Sequence, residues 1–379
     1  MPRKLKVAYL SYDFAEYAIR AVNGMTDECD LLLMLPEQTS RDYLPLLDPH
    51  VRFEAFHKPR LRQPFSQVWS ALKIVKQVRR FRPDVVHFQN GHMYFNLAMP
   101  LIKKHPLVIT IHDARQHLGD NESGHTPQWM MDFGFRRADQ VIVHGRSLID
   151  TVVGELGFDR AQVHLIPLVA IGDLQSPMPI TDDRQSVLFF GRIWEYKGLE
   201  YFIKAAPRVI AEFPQAKFII GGRGEDMQRY RQMMHDPACF EVHNNWISDA
   251  ERNQMFASSS MVVLPYVEAS QSGVIPLAYA HEKPVVATYI GGLPDMVDEN
   301  KTGLLVPPRN AEALASAIID LLRDRNRRME MGRAGKRKLI DECSPSVVAK
   351  QTIDVYRKTI AARATGRVQA TQEKELSRR

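Results

Sequence analysis

The sequence predicts an α/β chain built as two doubly wound domains, and three observations carry that expectation. Short apolar runs alternate with amphipathic stretches along most of the chain, the pattern of parallel strands joined by crossover helices. The alternation comes in two blocks, separated by a stretch from Gly172 to Ser186 that holds Pro177, Pro179 and the polar cluster Thr181-Asp182-Asp183-Arg184. In the second block, two glycine-bearing turns, Gly191 to Gly198 and Glu268 to Gly273, each follow an apolar run and open a helical pattern. That places both at the carboxyl ends of parallel strands, where doubly wound folds hold their ligands.

In the first block the expected strands are Lys6 to Ser11, Leu31 to Leu35, Asp84 to Phe88, Leu107 to His112, Gln140 to His144 and Val163 to Ile166. The second gives Val187 to Phe190, Lys217 to Ile220, Phe240 to Val242, Met261 to Leu264, Pro284 to Thr288 and Gly303 to Val306. Many are continuous apolar runs, as required when helices cover both faces of a sheet. Between them, stripes such as Leu199, Phe202, Ile203, Ala206, Val209 and Leu314, Ala317, Ile318, Leu321 fall at helical spacing and read as core faces. Pro207 is expected to kink its helix or to sit where a missing N–H is tolerated. The domains are therefore drawn at residues 1–172 and 187–360, with a linker at 173–186. Residues 361–379, rich in Ala, Arg, Gln and Glu, are expected to form a fraying or disordered tail.

Composition bounds the function. With 379 residues and 45% hydrophobic content the chain is long enough for two cores. No run of about 18 apolar residues occurs, and the first residues lead straight into a strand, so a cytoplasmic location is expected. Three dispersed cysteines indicate neither a disulfide framework nor a zinc site. The net charge of +6 is small but uneven. From Lys58 to Arg82 the chain carries Lys58, Arg60, Arg62, Lys73, Lys76, Arg79, Arg80 and Arg82 with no acidic residue. With Val68, Trp69, Leu72, Val75 and Val78 at mostly helical spacing, this segment reads either as an amphipathic helix resting on anionic lipid or as a solvated basic helix packed on its domain. No nucleic-acid-binding signature accompanies the charge.

Gly191-Arg192-Ile193-Trp194-Glu195-Tyr196-Lys197-Gly198 puts two cations at a strand-to-helix turn, with glycines at both ends that let the backbone approach a ligand closely. A phosphate, and in particular a diphosphate, is the ligand such a turn suits. The bland alternative is a pair of surface cations. Glu268 reads equally as a helix-capping acid, and His112, at a strand end, as a hydrogen-bonded structural histidine. His87, His92, His144 and His164 match no metal spacing and take the structural reading.

The ordered set Gly191-Arg192 with Lys197-Gly198, Phe218 to Gly222, Glu268 with Ser272-Gly273, Lys283 to Thr288 and Gly291 to Val297 resembles the carboxyl-terminal half of glycosyltransferase family 4. Pro83 to His87, Val108 to Asp113, Ala138 to His144 and His164 to Pro167 are similar to the amino-terminal landmarks of the same family, in order. The resemblance covers roughly residues 3 to 360. It implies the GT-B architecture, two facing Rossmann-like domains, and transfer of a hexose from a nucleotide diphosphate sugar to a glycan or lipid-linked acceptor. Retention of anomeric configuration is also implied.

On that resemblance Arg192 and Lys197 stabilise the departing diphosphate and Glu268 holds the sugar. Gly191, Gly222, Ser270, Gln271, Ser272, Gly273 and Val274 line the sugar and phosphates, and Ile247 lies in a loop beside the base. His112 matches the histidine that lies across the cleft, and domain closure is expected to bring it toward Arg192. No metal and no cofactor are expected: the sequence contains no Asp-X-Asp, and cationic side chains take a metal's place at the diphosphate.

Three features depart from the family pattern. Leu277 stands where the family has its second glutamate, the 268–273 loop is about one residue longer than the commoner form, and Ser11 to Ala15 replaces the usual glycine-rich turn. Leucine cannot accept hydrogen bonds from a ribose. Two other readings therefore stay open, a GT-B sugar-nucleotide epimerase and a binding protein of weakened catalysis. A nicotinamide dehydrogenase is disfavoured, because no Gly-X-Gly-X-X-Gly follows a strand. The sugar, base, acceptor and oligomeric state are not encoded in these spacings.

Overall fold

The structure is a computed structural model and describes residues 3–117, 126–172 and 185–376. The first sheet contains β1 (Leu5–Ser11), β2 (Cys29–Pro36), β3 (Arg52–Phe56), β4 (Val85–Gln89), β5 (Leu107–Ile111), β6 (Gln140–Val143) and β7 (Val163–Leu165). These run parallel in the order β3-β2-β1-β4-β5-β6-β7. The second sheet contains β8 (Ser186–Phe190), β9 (Lys217–Gly222), β10 (Phe240–Asn244), β11 (Met261–Leu264), β12 (Val285–Thr288) and β13 (Gly303–Val306). Their order is β10-β9-β8-β11-β12-β13, again parallel. In each sheet the order reverses beside the first strand, between β1 and β4 and between β8 and β11. The crevices that doubly wound folds use for ligands lie at those two points.

The continuous apolar runs are explained by burial on both faces. In β1, Val7 and Tyr9 face one core while Ala8 and Leu10 face the other. The expected strands are all present. The exception to the reading is β3, which was not foreseen: its Arg52-Phe-Glu-Ala-Phe56 sequence forms an edge strand in which only Phe56 is fully buried. The helix Leu199–Glu212 runs through Pro207, which lies on its exposed side.

The carboxyl-terminal end differs from the sequence expectation. A helix spans Pro345–Leu376, so residues 361–376 continue a helix instead of fraying at 361. Residues 345–360, assigned above to the second domain, pack on the first. Val348, Ala349, Ile353, Val355 and Tyr356 enter the core formed by Val7, Tyr9 and Val85. The Tyr356 hydroxyl lies 2.6 Å from His87 Nδ1. Arg363 pairs with Asp139 at 2.9 Å and donates to the carbonyls of Lys103 and His105. The physical reason is a stripe at three- and four-residue spacing, Val348, Thr352, Val355, Tyr356 and Thr359, all buried. Residues 173–184, most of the expected linker, lie outside the described residues. Among the described residues, no helix is long and apolar enough to cross a membrane.

Candidate active site between the two sheets

The loops that leave β1, β4 and β5 face those that leave β8 and β10 across a cavity of about 760 Å3. Asp13, Lys58, Asp113, His117 and Gln128 line it from the first domain, and Arg192 and Trp246 from the second. A second cavity, of about 370 Å3, lies near the domain crossing among Pro167, Ile275, Met296 and Leu339 and reaches neither Arg192 nor Glu268.

Glycines fix the first turn. Gly191 (φ 120°) and Gly222 (φ 151°) end β8 and the β9 strand in conformations that side chains rarely adopt. A Cβ at Gly222 would collide with the Gly191 carbonyl, so the two strand exits meet backbone to backbone. Gly198 (φ 66°) closes the turn, and a Cβ there would collide with the carbonyl of Pro265 beyond β11. The amide of Val267 donates to the Tyr196 carbonyl at 2.8 Å, locking the two phosphate-side loops together.

On this frame the exposed Arg192 guanidinium donates to the Tyr196 hydroxyl at 2.8 Å. The Lys197 ammonium lies 3.7 Å from the centroid of the Tyr266 ring and 4.8 Å from that of Tyr196. Tyr266 is buried, and burial pushes its hydroxyl pKa up, so it stays neutral and shares a hydrogen bond of 3.3 Å with Ser272. Ser272 Oγ also accepts from the Val274 amide at 3.2 Å. Two cations are thus held at one strand exit against the Tyr196 and Tyr266 side chains. A bound dianion would meet positive charge already in place.

Glu268 begins the loop after β11, and Ser270 is buried in it. Gly145 of the first domain lets this loop approach, since a Cβ at Gly145 would lie 2.8 Å from the Ser270 carbonyl. Gln271 Oε1 is buried with no hydrogen-bond partner among the described residues. Gly273 and Val274 open a seven-residue helix, Val274–Ala280. Ile247 packs against the second domain's core, whereas its neighbour Trp246 is 77% exposed and lines the cavity.

His112 is placed differently from expectation. It is fully buried beneath Phe14, whose ring centroid is 4.6 Å away, and so does not face Arg192 across open space. Burial, together with nearby His144, holds its pKa well below the ordinary histidine value, so the imidazole is neutral. Its Nε2 is 2.8 Å from Gln89 Nε2, and its Nδ1 has no partner among the described residues.

The histidine that does reach across is His117, which the sequence reading missed. Its ring stacks on Tyr196 (centroids 4.6 Å apart, planes 14° apart). Its Nδ1 is 3.8 Å from the Glu268 carboxylate, and its Nε2 is 3.0 Å from Asp113 and 3.4 Å from Ser270 Oγ. Burial raises the Asp113 pKa, but the hydrogen bond from His117 and its electrostatic attraction outweigh it, leaving Asp113 below the ordinary carboxylate range. The available signal was Asp113-X-X-X-His117, a four-residue spacing directly after a strand end. Leu277 is buried, and a Cβ at Gly172 would lie 3.1 Å from its Cδ2. Leu277 therefore packs beneath the chain that leaves the first domain. His87, His144 and His164 are each hydrogen-bonded in place, as a structural role requires.

Two facing Rossmann-like domains with a cationic strand exit at the cleft define the GT-B class of glycosyltransferase. Residues 18–168 match the family described as Glycosyltransferase Family 4, and residues 184–324 match Glycosyl transferases group 1. The two halves of the chain thus carry a family 4 and a group 1 glycosyltransferase domain. It is 30% identical over 196 residues to an uncharacterized glycosyltransferase of Methanocaldococcus jannaschii, covering 50% of this chain and 48% of that one. The chain spans about half the length of the first curated relatives it matches. Among solved structures it is similar to sucrose-phosphate synthase from Thermosynechococcus elongatus (TM-score 0.72, 19% identity, 95% of this chain, 100% of that one). It is also similar to Anabaena HepE in complex with UDP (TM-score 0.70, 19% identity, 93% of this chain, 100% of that one). These likenesses extend the GT-B fold over nearly the whole chain.

Proposed function

We propose that the protein transfers a hexose from a nucleotide diphosphate sugar to a glycan or lipid-linked acceptor, with retention of configuration and without a metal. The observation that carries this is the pair Arg192 and Lys197, fixed by tyrosines and glycines at the exit of β8, with Arg192 lining the cleft between two domains. The two domain matches support the class of reaction. HepE, of the same fold, was solved with UDP.

In this reading the bond between the anomeric carbon and the β-phosphate oxygen breaks, and both electrons leave with the nucleoside diphosphate. Arg192 and Lys197 meet that charge, an interaction worth on the order of 3–4 kcal/mol per donor at a developing anion. The acceptor oxygen bonds to the anomeric carbon on the face the phosphate leaves, and its proton passes to the leaving phosphate oxygen. Glu268, beside His117 and Ser270, holds the sugar. Trp246 offers a ring for the base. No cofactor beyond the donor is required.

The test is a thermal-shift screen against UDP, GDP, ADP and their hexose conjugates, with and without magnesium. Ligand binding to the native state raises the midpoint by mass action. A magnesium-independent shift with one nucleotide family, lost in Arg192→Ala, is the expected result. Absence of any shift sinks the reading. Product formed only in the presence of acceptor separates a transferase from an epimerase or a binding protein.

A further inference from the structure

The basic segment after β3 contains a helix, Pro64–Phe81, that carries two apolar faces instead of the single stripe read from sequence. Ala71, Ile74, Val75 and Val78 are buried against the first domain. Phe65, Val68, Trp69 and Leu72 point outward, with exposures of 91%, 50%, 64% and 44%. At 100° per residue these four share an arc of roughly 140° with Lys73, Lys76, Arg79 and Arg80. The outward face is therefore apolar in its first half and cationic in its second. The segment that precedes it adds Arg60 and Arg62, both exposed.

Among the described residues Arg60, Arg62, Lys73, Lys76, Arg80 and Arg82 form no ion pair, and no acid lies between residues 58 and 82. Lys73 Nζ sits 5.8 Å from the Trp69 ring centroid, at the boundary between the two halves. Bulky aromatic groups left in water beside unpaired cations have an obvious counterpart: a surface apolar beneath and anionic above.

We propose that this face docks on an anionic phospholipid bilayer, with Phe65 and Trp69 inserted at the headgroup boundary and the lysines and arginines against the phosphates. A protein partner with an acidic groove fits less well, because the apolar ridge is convex and the charge flanks it at both ends. The consequence for the cleft is geometric. Gln67 and Ser70 of the helix hydrogen-bond the carbonyls of Pro59 and His57, at 2.6 Å each, and Lys58, Pro59 and Leu61 line the cavity. The lipid-facing helix and one wall of the cleft are one packed unit, so docking sets the mouth beside the bilayer. Resting on the transfer reading above, this selects a lipid-borne acceptor over a soluble glycan.

The experiment is cosedimentation of the full chain with vesicles of phosphatidylcholine alone and of phosphatidylcholine mixed with phosphatidylglycerol. The wild type is expected to pellet with the mixed vesicles only and to be released by salt. The double variants Phe65→Ser/Trp69→Ser and Lys73→Glu/Lys76→Glu are each expected to bind them about tenfold or more weakly. No pelleting of the wild type, or unchanged pelleting of both variants, overturns the proposal. So does a wild-type dimer in lipid-free sedimentation velocity that Phe65→Ser/Trp69→Ser converts to monomer, which would assign the face to a second copy. Nucleotide stabilisation of the same samples reports on the donor site separately. Failure at the vesicle with stabilisation intact therefore removes this proposal alone.

Discussion

The ammonium of Lys197 rests 3.7 Å from the ring centroid of Tyr266, a side chain only 1% exposed. The ring restrains the cation without neutralising it, because a quadrupole attracts charge yet leaves it able to meet an anion. Tyr266→Leu is therefore expected to weaken nucleotide diphosphate binding about five- to tenfold, while Tyr266→Phe, which keeps the ring, stays within about twofold of wild type. Titration calorimetry with the nucleotide found in the thermal screen checks this. Equal losses in the two variants would mean that the hydroxyl bond to Ser272, not the ring, is what matters.

His117 is the first domain's contact with Glu268, Ser270 and Tyr196 together. His117→Ala is expected to lower kcat/KM by about tenfold or more, through loss of the oriented Glu268. Nucleotide affinity should change less, since Tyr266 still holds Lys197 and the glycines still fix the turn. Steady-state kinetics beside a binding titration separates the two effects, and a loss of affinity matching the loss of turnover would contradict this division.

Gly198→Ala forces an alanine into the left-handed region and drives its Cβ into the Pro265 carbonyl. The expected cost is roughly 2–4 kcal/mol of stability. Chemical denaturation reads it directly. Gly154→Ala, where a Cβ would meet nothing within 4 Å, is the control and should be close to neutral.

Burial holds His87 and His92 at about 3 and His144 at about 4, against 6.5 for a free side chain. All three are neutral in the native state and take up protons on unfolding at mildly acid pH. Their contribution is therefore whole above about pH 6.5 and is lost as pH falls toward 4, by up to about 1.4 kcal/mol per pH unit for each. The melting midpoint is expected to fall steadily from pH 7 to pH 5, and His87→Gln to flatten that slope. A midpoint indifferent to pH over this range would contradict the assignment.

Parallel strands announce themselves because both faces are buried, so runs such as Leu31 to Leu35 and Val285 to Thr288 stood out without any partner in view. Arg52 to Phe56 did not, since an edge strand carries charge and needs only one good apolar anchor. At the site, glycines with positive φ were legible as turns, and Arg192 and Lys197 with them. What distance in sequence concealed was the closing partner. Nothing near residue 117 indicates that its ring will lie on Tyr196, and nothing near His112 indicates that Phe14 will cover it. The first is set by how one domain seats against the other, the second by the path of the loop after β1 within the first domain. The two faces of the helix Pro64–Phe81 were blurred for a similar reason, because periodicity counts apolar residues without saying which side has a neighbour.

The polypeptide passes between its domains twice, once between Gly172 and Gln185 and again where the helix Arg325–Cys343 gives way to Pro345–Leu376. The two passages touch: the Ala170 amide donates to the Cys343 carbonyl at 2.8 Å. The hydrogen bond between Ala170 and Cys343 joins the two crossings at one spot, and any swing of one lobe against the other is expected to pivot there. The crossings also make the first lobe topologically incomplete on its own. A truncation after residue 343 would keep every strand of both sheets and still strip a wall from the older-numbered core, so the amino-terminal lobe is expected to need the last stretch of the chain before it can finish folding.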